Sequence, residues 1–423
     1  MAIAIGCGTT MPATVRAQPS LPDAATLEQL GRLTQGFEVR DEQVTLAGRA
    51  AIPLRFVLKP QAASPDRLIA ATKAALTRLG AWHGRLPHTE LTVIDLPRSS
   101  GLANTSLPGV IVVATPAFAQ SADRAVERTL FASVARQYWQ VPPASEPSRR
   151  WLGEGLASYV AVRGIHEELT GQHTADVSLF GGFFSLPVGA LSWSLPASDP
   201  RPQVRRFAEV EELLTPPVSQ AQRAALALHT LERYLGWAAM QQAVEAFQAR
   251  WQSEAAGPAD LAAIVSAQRG IDLHWFFDQA FRVDARFDYG IASFGSEPTS
   301  DTDGEFETRV SLQRFGDAVF AGTSEAREPL QAGRSLKVRT RFENGEAIDD
   351  WWDGRDETME LVYRGPARAA WSSVDPGAVL LLDGNRANNT RSMTAPWTGG
   401  VARLAAVWMV WLQDVMLASS ALL

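Results

Sequence analysis

The sequence predicts an α+β fold in which a mixed sheet and a set of helices precede a small β-sandwich and a C-terminal hydrophobic helix. Two observations predict it: strand patterns are followed by apolar residues at helical spacing up to residue 281, and apolar residues alternate with polar ones beyond residue 305. The length of 423 residues also exceeds one ordinary domain. The predicted units are an N-terminal segment, two domains and a tail, over residues 1–49, 50–292, 305–396 and 397–423.

The first predicted domain is a sheet followed by helices. The N-terminal segment before it contains a helical pattern over 24–33 and a strand and turn over 37–46. Strands are predicted over 53–58, 91–96 and 110–114, the last a continuous β-branched run typical of a buried strand. Apolar spacing predicts helices over 65–82, 123–140, 151–164, 220–234, 238–251 and 272–281.

The second predicted domain is an immunoglobulin-like β-sandwich of about ninety residues. A polar stretch over 293–305 is predicted to be the linker that precedes it. Alternating patterns predict strands over 308–312, 335–342, 359–363 and 379–382. Turn signals stand at Asn344-Gly345, Asp353-Gly354 and Asp383-Gly384.

Composition restricts the classes of function. The net charge of −7 without a basic block argues against a nucleic-acid partner. A single cysteine, Cys7, excludes an intrachain disulfide and any zinc site built on several cysteines. Six histidines are therefore the imidazoles available for metal binding or acid–base chemistry.

The two ends predict an exported or membrane-associated protein. Residues 1–17 resemble the tail of a secretory signal with a small-residue cleavage site, with a lipid-anchored Cys7 or a frayed start as alternatives. Residues 404–423 are mostly apolar and long enough to span a bilayer. However, Gln413 and Asp414 fall near the middle, and a central Asp costs about 3 kcal/mol on insertion scales. An amphipathic helix at the membrane surface or packed on the protein is the alternative.

Four stretches resemble the M1 aminopeptidases, zinc peptidases of the gluzincin type. Two of them look like the end of the family's HExxHQWF helix and its WLNEGFASY helix; the others are similar to the helix after its catalytic tyrosine and to its DLSWFFDQWF segment. In this chain they are Arg136–Trp139, Trp151–Tyr159, Ala225–Leu231 and Asp272–Gln279. The resemblance covers roughly residues 50–290, and implies a thermolysin/M1-like domain with a mixed sheet and a helical bundle.

The same resemblance shows which catalytic positions have changed. In the family, two His of HExxH and a downstream Glu bind zinc, and the Glu within the motif is the general base. Ala132 and Arg136 occupy the two His positions, Ser133 occupies the base position, and only Glu154 remains. The position of the family's oxyanion-stabilising tyrosine reads as Ala221, and that of its amine-binding Glu reads as Ser106. The resemblance therefore implies a degenerate zinc site, with no cofactor and no catalytic residue.

An alternative interpretation of the sequence retains a metal site. His166-Glu167 begins like HExxH, and His173 lies seven residues after His166. A divergent zinc metallopeptidase could assemble its site from His166, His173 and Glu154. The preferred interpretation is that both histidines lie on a polar surface loop after the helix that begins at Trp151.

The changed positions also predict a contact. Losing a dication would leave the Glu154 carboxylate without a partner, and a guanidinium can supply the missing positive charge. We therefore predict an Arg136–Glu154 ion pair at the former metal position; if it is buried, removing one partner costs about 3 kcal/mol. The expected function is a non-catalytic, membrane-associated pseudopeptidase that binds an unknown protein or peptide partner, with membrane contact through residues 404–423.

Overall fold

The computed structural model describes most of the chain between residues 24 and 393. The described residues are 24–46, 51–60, 64–84, 86–102, 105–115, 125–141, 145–169, 176–179, 184–187, 219–251, 256–282, 285–299, 304–320 and 336–393. The predicted signal at 1–17, His173 and the predicted tail at 397–423 lie outside them. Within the described ranges, no helix is both long and apolar enough to cross a membrane.

The first unit is built on a five-stranded mixed sheet with the strand order β1-β2-β3-β5-β4. Strands β2, β3 and β5 are parallel, whereas β1 and β4 run antiparallel to their neighbours at the two edges. The mixed sheet that the sequence predicts is therefore confirmed. Its elements are α1 (Ala24–Leu33), β1 (Glu38–Thr45), β2 (Ala51–Leu58), α2 (Pro65–His83), β3 (Leu91–Asp95), β4 (Ser106–Leu107) and β5 (Val110–Val113).

The helices of the first unit pack on one another and on this sheet around one core. Helix α3 packs against α2 and α4, and α4 packs against α5. The largest fully buried side chains here include Phe56, Phe131, Trp139 and Tyr159. The elements are α3 (Ala125–Tyr138), α4 (Pro147–Leu169), the hairpin β6 (Asp176–Leu179) and β7 (Phe184–Pro187), α5 (Gln220–Leu235), α6 (Trp237–Trp251), α7 (Pro258–Arg269) and α8 (His274–Ala280).

The second unit consists of two antiparallel sheets whose inner faces contact each other. One has the order β12-β9-β8 and the other β11-β10-β13-β14. Tyr289 meets Trp352 across the two sheets with ring centroids 5.2 Å apart, and Phe342 meets Tyr363 at 5.9 Å. The strands are β8 (Tyr289–Pro298), β9 (Phe306–Arg314), β10 (Leu336–Phe342), β11 (Ala347–Trp352), β12 (Thr358–Gly365), β13 (Ala369–Val374) and β14 (Thr390–Ser392).

The two units are joined by polar contacts between α5 and the loop after β13. The Leu381 amide donates to Thr230 Oγ1 at 3.1 Å, and the Arg233 guanidinium donates to the Ala378 carbonyl. In the same loop, Asp375 accepts from two backbone amides at 2.8 Å each, and burial raises its pKa to about 6. This loop is therefore held in place by hydrogen bonds that a sequence pattern does not reveal.

Several sequence predictions about element bounds are corrected by the structure. The stretch 293–305 is not wholly a linker, because β8 begins at Tyr289 and pairs with β9. Residues 379–382 are not a strand but the buried loop just described. The predicted boundary at residue 49 separates β1 from β2, although these two strands pair along their whole length. Eight of the described elements had no helix or strand prediction: α7, β4, β6, β7, β8, β11, β13 and β14.

The differences between predicted and observed elements have a common physical cause. Short or locally polar segments such as β8 and β14 become strands because a neighbouring strand supplies their hydrogen-bond partners. Conversely, residues 379–382 satisfy two of their amides through Asp375 and one through Thr230, so they need no partner strand.

Candidate functional site

The candidate site lies where the C-terminal half of α3 faces α4. Arg136 Nε donates to Glu154 Oε2 at 3.0 Å, so a guanidinium and a carboxylate link the two helices. The side chains of Arg136 and Glu154 are 37% and 56% exposed. The pair is therefore solvated. The figure of about 3 kcal/mol for removing one partner applied to a buried pair, and this condition is not met.

The preceding turn of α3 offers no group for metal or base chemistry. Ser133 is only 1% exposed, and its Oγ has no hydrogen-bond partner among the described residues. Ala132 presents a methyl group that packs against the core. Because a methyl, a buried hydroxyl and a guanidinium cannot hold zinc, the residues at these positions do not fit the metal that the resemblance implies.

Ser106 lies against α3 through a set of hydrogen bonds centred on Gln137. Gln137 Nε2 donates to Ser106 Oγ at 2.6 Å and to the Leu107 carbonyl at 3.0 Å, and the Gly109 amide donates to Gln137 Oε1 at 3.0 Å. Ser106 Oγ in turn donates to the Ser133 carbonyl at 3.4 Å. The edge strand β4 is thus fixed to α3 by neutral groups, and no carboxylate stands at this point.

Ala221 lies at the close crossing of α4 and α5. A Cβ on Gly155 would come within 2.5 Å of Ala224 Cβ and 3.1 Å of the Ala221 carbonyl oxygen. The small residues on both helices permit this approach. The residue at the family's tyrosine position therefore takes part in packing between helices next to Glu154.

The alternative metal set is not assembled within the described part of the chain. Helix α4 continues to Leu169, so His166 lies within it; the predicted polar loop is wrong at this position. The side chain of His166 and all of His173 lie outside the described residues. Among the residues that are described, no three His, Cys, Asp or Glu side chains are grouped closely enough to hold a metal ion.

A partly buried ionic network between α4 and α5 was not predicted from the sequence. Tyr159 Oη donates to Glu232 Oε2 at 2.8 Å, and Arg163 lies 3.4 Å from Glu232 Oε1. Burial is the main cause that raises the pKa of Glu232, and Arg163 opposes it. Only the Arg163–Glu167 spacing of four residues hinted at it. Because these contacts join α4 to α5, the network links the helix that carries Glu154 to its neighbour.

Two histidines without a predicted role prove to be structural. His83 Nδ1 lies 3.0 Å from Gln248 Oε1 within a shell of aromatic rings, and burial lowers the pKa of His83 to about 4. His229 contacts the ring of Tyr159 with centroids 4.7 Å apart. Both histidines are buried in the core among aromatic rings.

Comparison with known proteins finds similarity only to solved structures. No protein-family model and no curated protein matches the chain. It is similar to aminopeptidase A of Legionella pneumophila in complex with aspartic acid, with 15% identity over 82% of this chain and a TM-score of 0.49. It is also similar to the M1 zinc metallopeptidase of Deinococcus radiodurans, with 21% identity over 58% of this chain and a TM-score of 0.39. A glutamate-to-alanine mutant of that enzyme gives 22% identity and the same TM-score.

The chain spans 38% of the Legionella enzyme and about half of the Deinococcus enzyme. At these identities and TM-scores the likeness assigns no activity. The resemblance to M1 peptidases therefore rests on the residue pattern of the four stretches quoted above.

Proposed function

We propose that this protein is an M1 aminopeptidase-like scaffold without the zinc site, and that it acts as a non-catalytic, membrane-associated binding or scaffold protein. The Arg136–Glu154 contact carries the proposal. It joins the two positions that, by the resemblance, would be zinc ligands, and it puts a permanently charged guanidinium at one of them.

The second unit provides a surface for binding. We infer an immunoglobulin-like sandwich, because the strand order β12-β9-β8 against β11-β10-β13-β14 is compatible with that arrangement. Such sandwiches often serve as recognition modules, but fold alone does not name a partner. The partner is therefore proposed only as a protein or peptide.

Metal content and hydrolysis test the loss of the zinc site. The purified full chain is expected to contain no stoichiometric zinc and to release no amino acid from aminoacyl reporter substrates. A rebuilt triple variant, Ala132→His with Ser133→Glu and Arg136→His, places two imidazoles at i and i+4 on α3 opposite Glu154. This variant should gain zinc, measured by elemental mass spectrometry. If it gains none, α3 and α4 lack the gluzincin arrangement and the resemblance fails.

The alternative function is a divergent zinc metallopeptidase that uses His166, His173 and Glu154. The engagement of Glu154 with Arg136 weighs against it. Zinc in the parent protein that disappears together with activity in the His166→Ala variant would establish this enzyme and reject the proposed pseudopeptidase.

Membrane association has its own test. The full chain should float with lipid vesicles, whereas a chain that ends at Pro396 should stay in the soluble fraction. Residues 404–423 are apolar enough to insert, apart from Gln413 and Asp414. If the two proteins are equally soluble, membrane association is rejected, and the proposed binding function is not affected.

A further inference from the structure

The outer face of the sheet β11-β10-β13-β14 combines basic and aromatic side chains. Along β10, Leu336, Val338, Thr340 and Phe342 are buried, so the three residues between them point away from the other sheet. These are cations in an unbroken alternation. Together with two tryptophans on the neighbouring strands they form what we call the basic face: Lys337, Arg339, Arg341, Trp351 and Trp371.

The register of the sheet places these five side chains side by side. Trp351 of β11 is the partner of Lys337, and Trp371 of β13 is the partner of Arg341. Arg339 lies between the two cations on the same strand. The two tryptophans therefore stand at opposite corners of a row of three positive charges.

The charges of the basic face do not cancel. Asp349 is its acidic member; it accepts from Arg339 at 2.6 and 2.7 Å and lies 3.0 Å from Lys337 Nζ. Arg341 has no ion-pair partner among the described residues. Among the described residues, the ion pairs of the basic face thus involve one carboxylate for three cations, in a chain whose net charge is −7.

The aromatic members are suited to a boundary between water and an apolar phase. Trp351 is exposed, and the Lys337 ammonium lies 5.1 Å from the centroid of its ring. Tryptophan is enriched at the headgroup level of membranes, and lysine and arginine near a surface attract anionic lipids. A sheet face that presents both side-chain types fits a lipid headgroup layer.

The length of the connecting chain limits how far the apolar run can lie from this sheet. Ser392 of β14 is the register partner of Trp371, which is itself the partner of Arg341. The chain therefore leaves the sheet beside these two residues. Residues 393–403 separate Ser392 from the apolar run 404–423. At about 3.5 Å per residue, this connection extends to about 40 Å at most. Insertion of the run would hold the sheet within that distance of the bilayer.

We propose that the basic face docks on the headgroups of an anionic bilayer when residues 404–423 are inserted. The inference rests on the proposed membrane association and adds an orientation: the four-stranded sheet faces the lipid. Tethering raises the local concentration of the face at the surface, so a weak electrostatic contact suffices. Each cation contributes about a fivefold change in the docking equilibrium, and salt should weaken it.

The small number of lysines makes the contact measurable in the full chain. Lys59, Lys73 and Lys337 are the lysines of the whole sequence. Lys73 and Lys337 are matched, since each is paired with a carboxylate and their side chains are 34% and 33% exposed. Lys73 lies on α2 and pairs with Glu42 of β1, both in the first unit. The ratio of their acylation rates therefore reports docking with an internal control.

The experiment places the full chain in lipid nanodiscs and follows acylation of both lysines by mass spectrometry. With phosphatidylcholine and phosphatidylserine mixed, acylation of Lys337 should slow several-fold relative to Lys73, and high salt should restore it. Pure phosphatidylcholine discs should show little slowing. Equal Lys337-to-Lys73 ratios in both lipids, or slowing that does not depend on charge, would overturn the docking.

Variants separate this contact from other effects. Arg341→Ala should reduce the protection of Lys337 about fivefold, because it removes a cation and leaves the labelled lysine in place. The control Arg55→Ala changes an exposed arginine on β2 that pairs with Asp41, and should leave the protection unchanged. If Arg341→Ala protects Lys337 as fully as the parent, the basic face is not the contact. Failure of the parent to associate with either disc would instead reject the proposed membrane association.

Discussion

The Arg136–Glu154 contact should contribute little to stability, although it links two helices. The perturbation is a double-mutant cycle with Arg136→Met, Glu154→Leu and the combined variant. The structure shows one hydrogen bond through Nε, between side chains that are 37% and 56% exposed. Solvated pairs contribute about 0.2–1 kcal/mol, so we expect a coupling energy of about 0.5 kcal/mol.

A second ion pair, between α2 and α3, provides the reference for this coupling energy. Arg67 of α2 donates two hydrogen bonds to Glu127 of α3, at 2.9 and 2.7 Å, and both side chains are 18% exposed. Two parallel charge-assisted bonds with less solvent screening should couple by about 2 kcal/mol. The cycle Arg67→Met with Glu127→Leu therefore serves as the positive control.

Urea denaturation at neutral pH measures both cycles, provided that the slope of the unfolding free energy against urea is unchanged. The reasoning is refuted if Arg136 and Glu154 couple as strongly as Arg67 and Glu127. A strong coupling would mean that the pair at the former metal position is held in a poorly solvated site, and its role would then be structural.

Two further predictions concern buried positions. His83 has a folded pKa of about 4, below its unfolded value, so the unfolded chain binds more protons between these values and stability is lost as the pH falls below about 6.5. His83→Gln should remove about 2 kcal/mol of the destabilisation between pH 7 and pH 5, measured by urea unfolding at both; an unchanged pH dependence would show that His83 does not cause it. Asp375 acts in the opposite sense, because its raised pKa of about 6 gives stability that is lost as the pH rises through 6. Gly155→Ala should lower the unfolding free energy by about 1–3 kcal/mol through the clash with α5. Gly31→Ala on α1, where a Cβ meets nothing within 4 Å, is the control that should not destabilise, and equal losses for both would refute the clash.

Much of the first unit could be read from local pattern. The helical spacing over 65–82 and the β-branched run over 110–114 each reflect a face that must be buried, so α2 and β5 followed directly. The changed chemistry was also a property of the sequence, because Ala132, Ser133 and Arg136 carry no zinc-binding group wherever the chain places them.

The sequence by itself therefore determined which side chains are available, and the tertiary structure decided what surrounds them. It exposed the Arg136–Glu154 contact to solvent, and it turned part of the predicted linker into β8 through pairing with β9. It also aligned Trp351 and Trp371 with the cations of β10. Solvent exposure and strand register depend on neighbours that are distant along the chain. The local spacing of apolar residues therefore does not reveal either property.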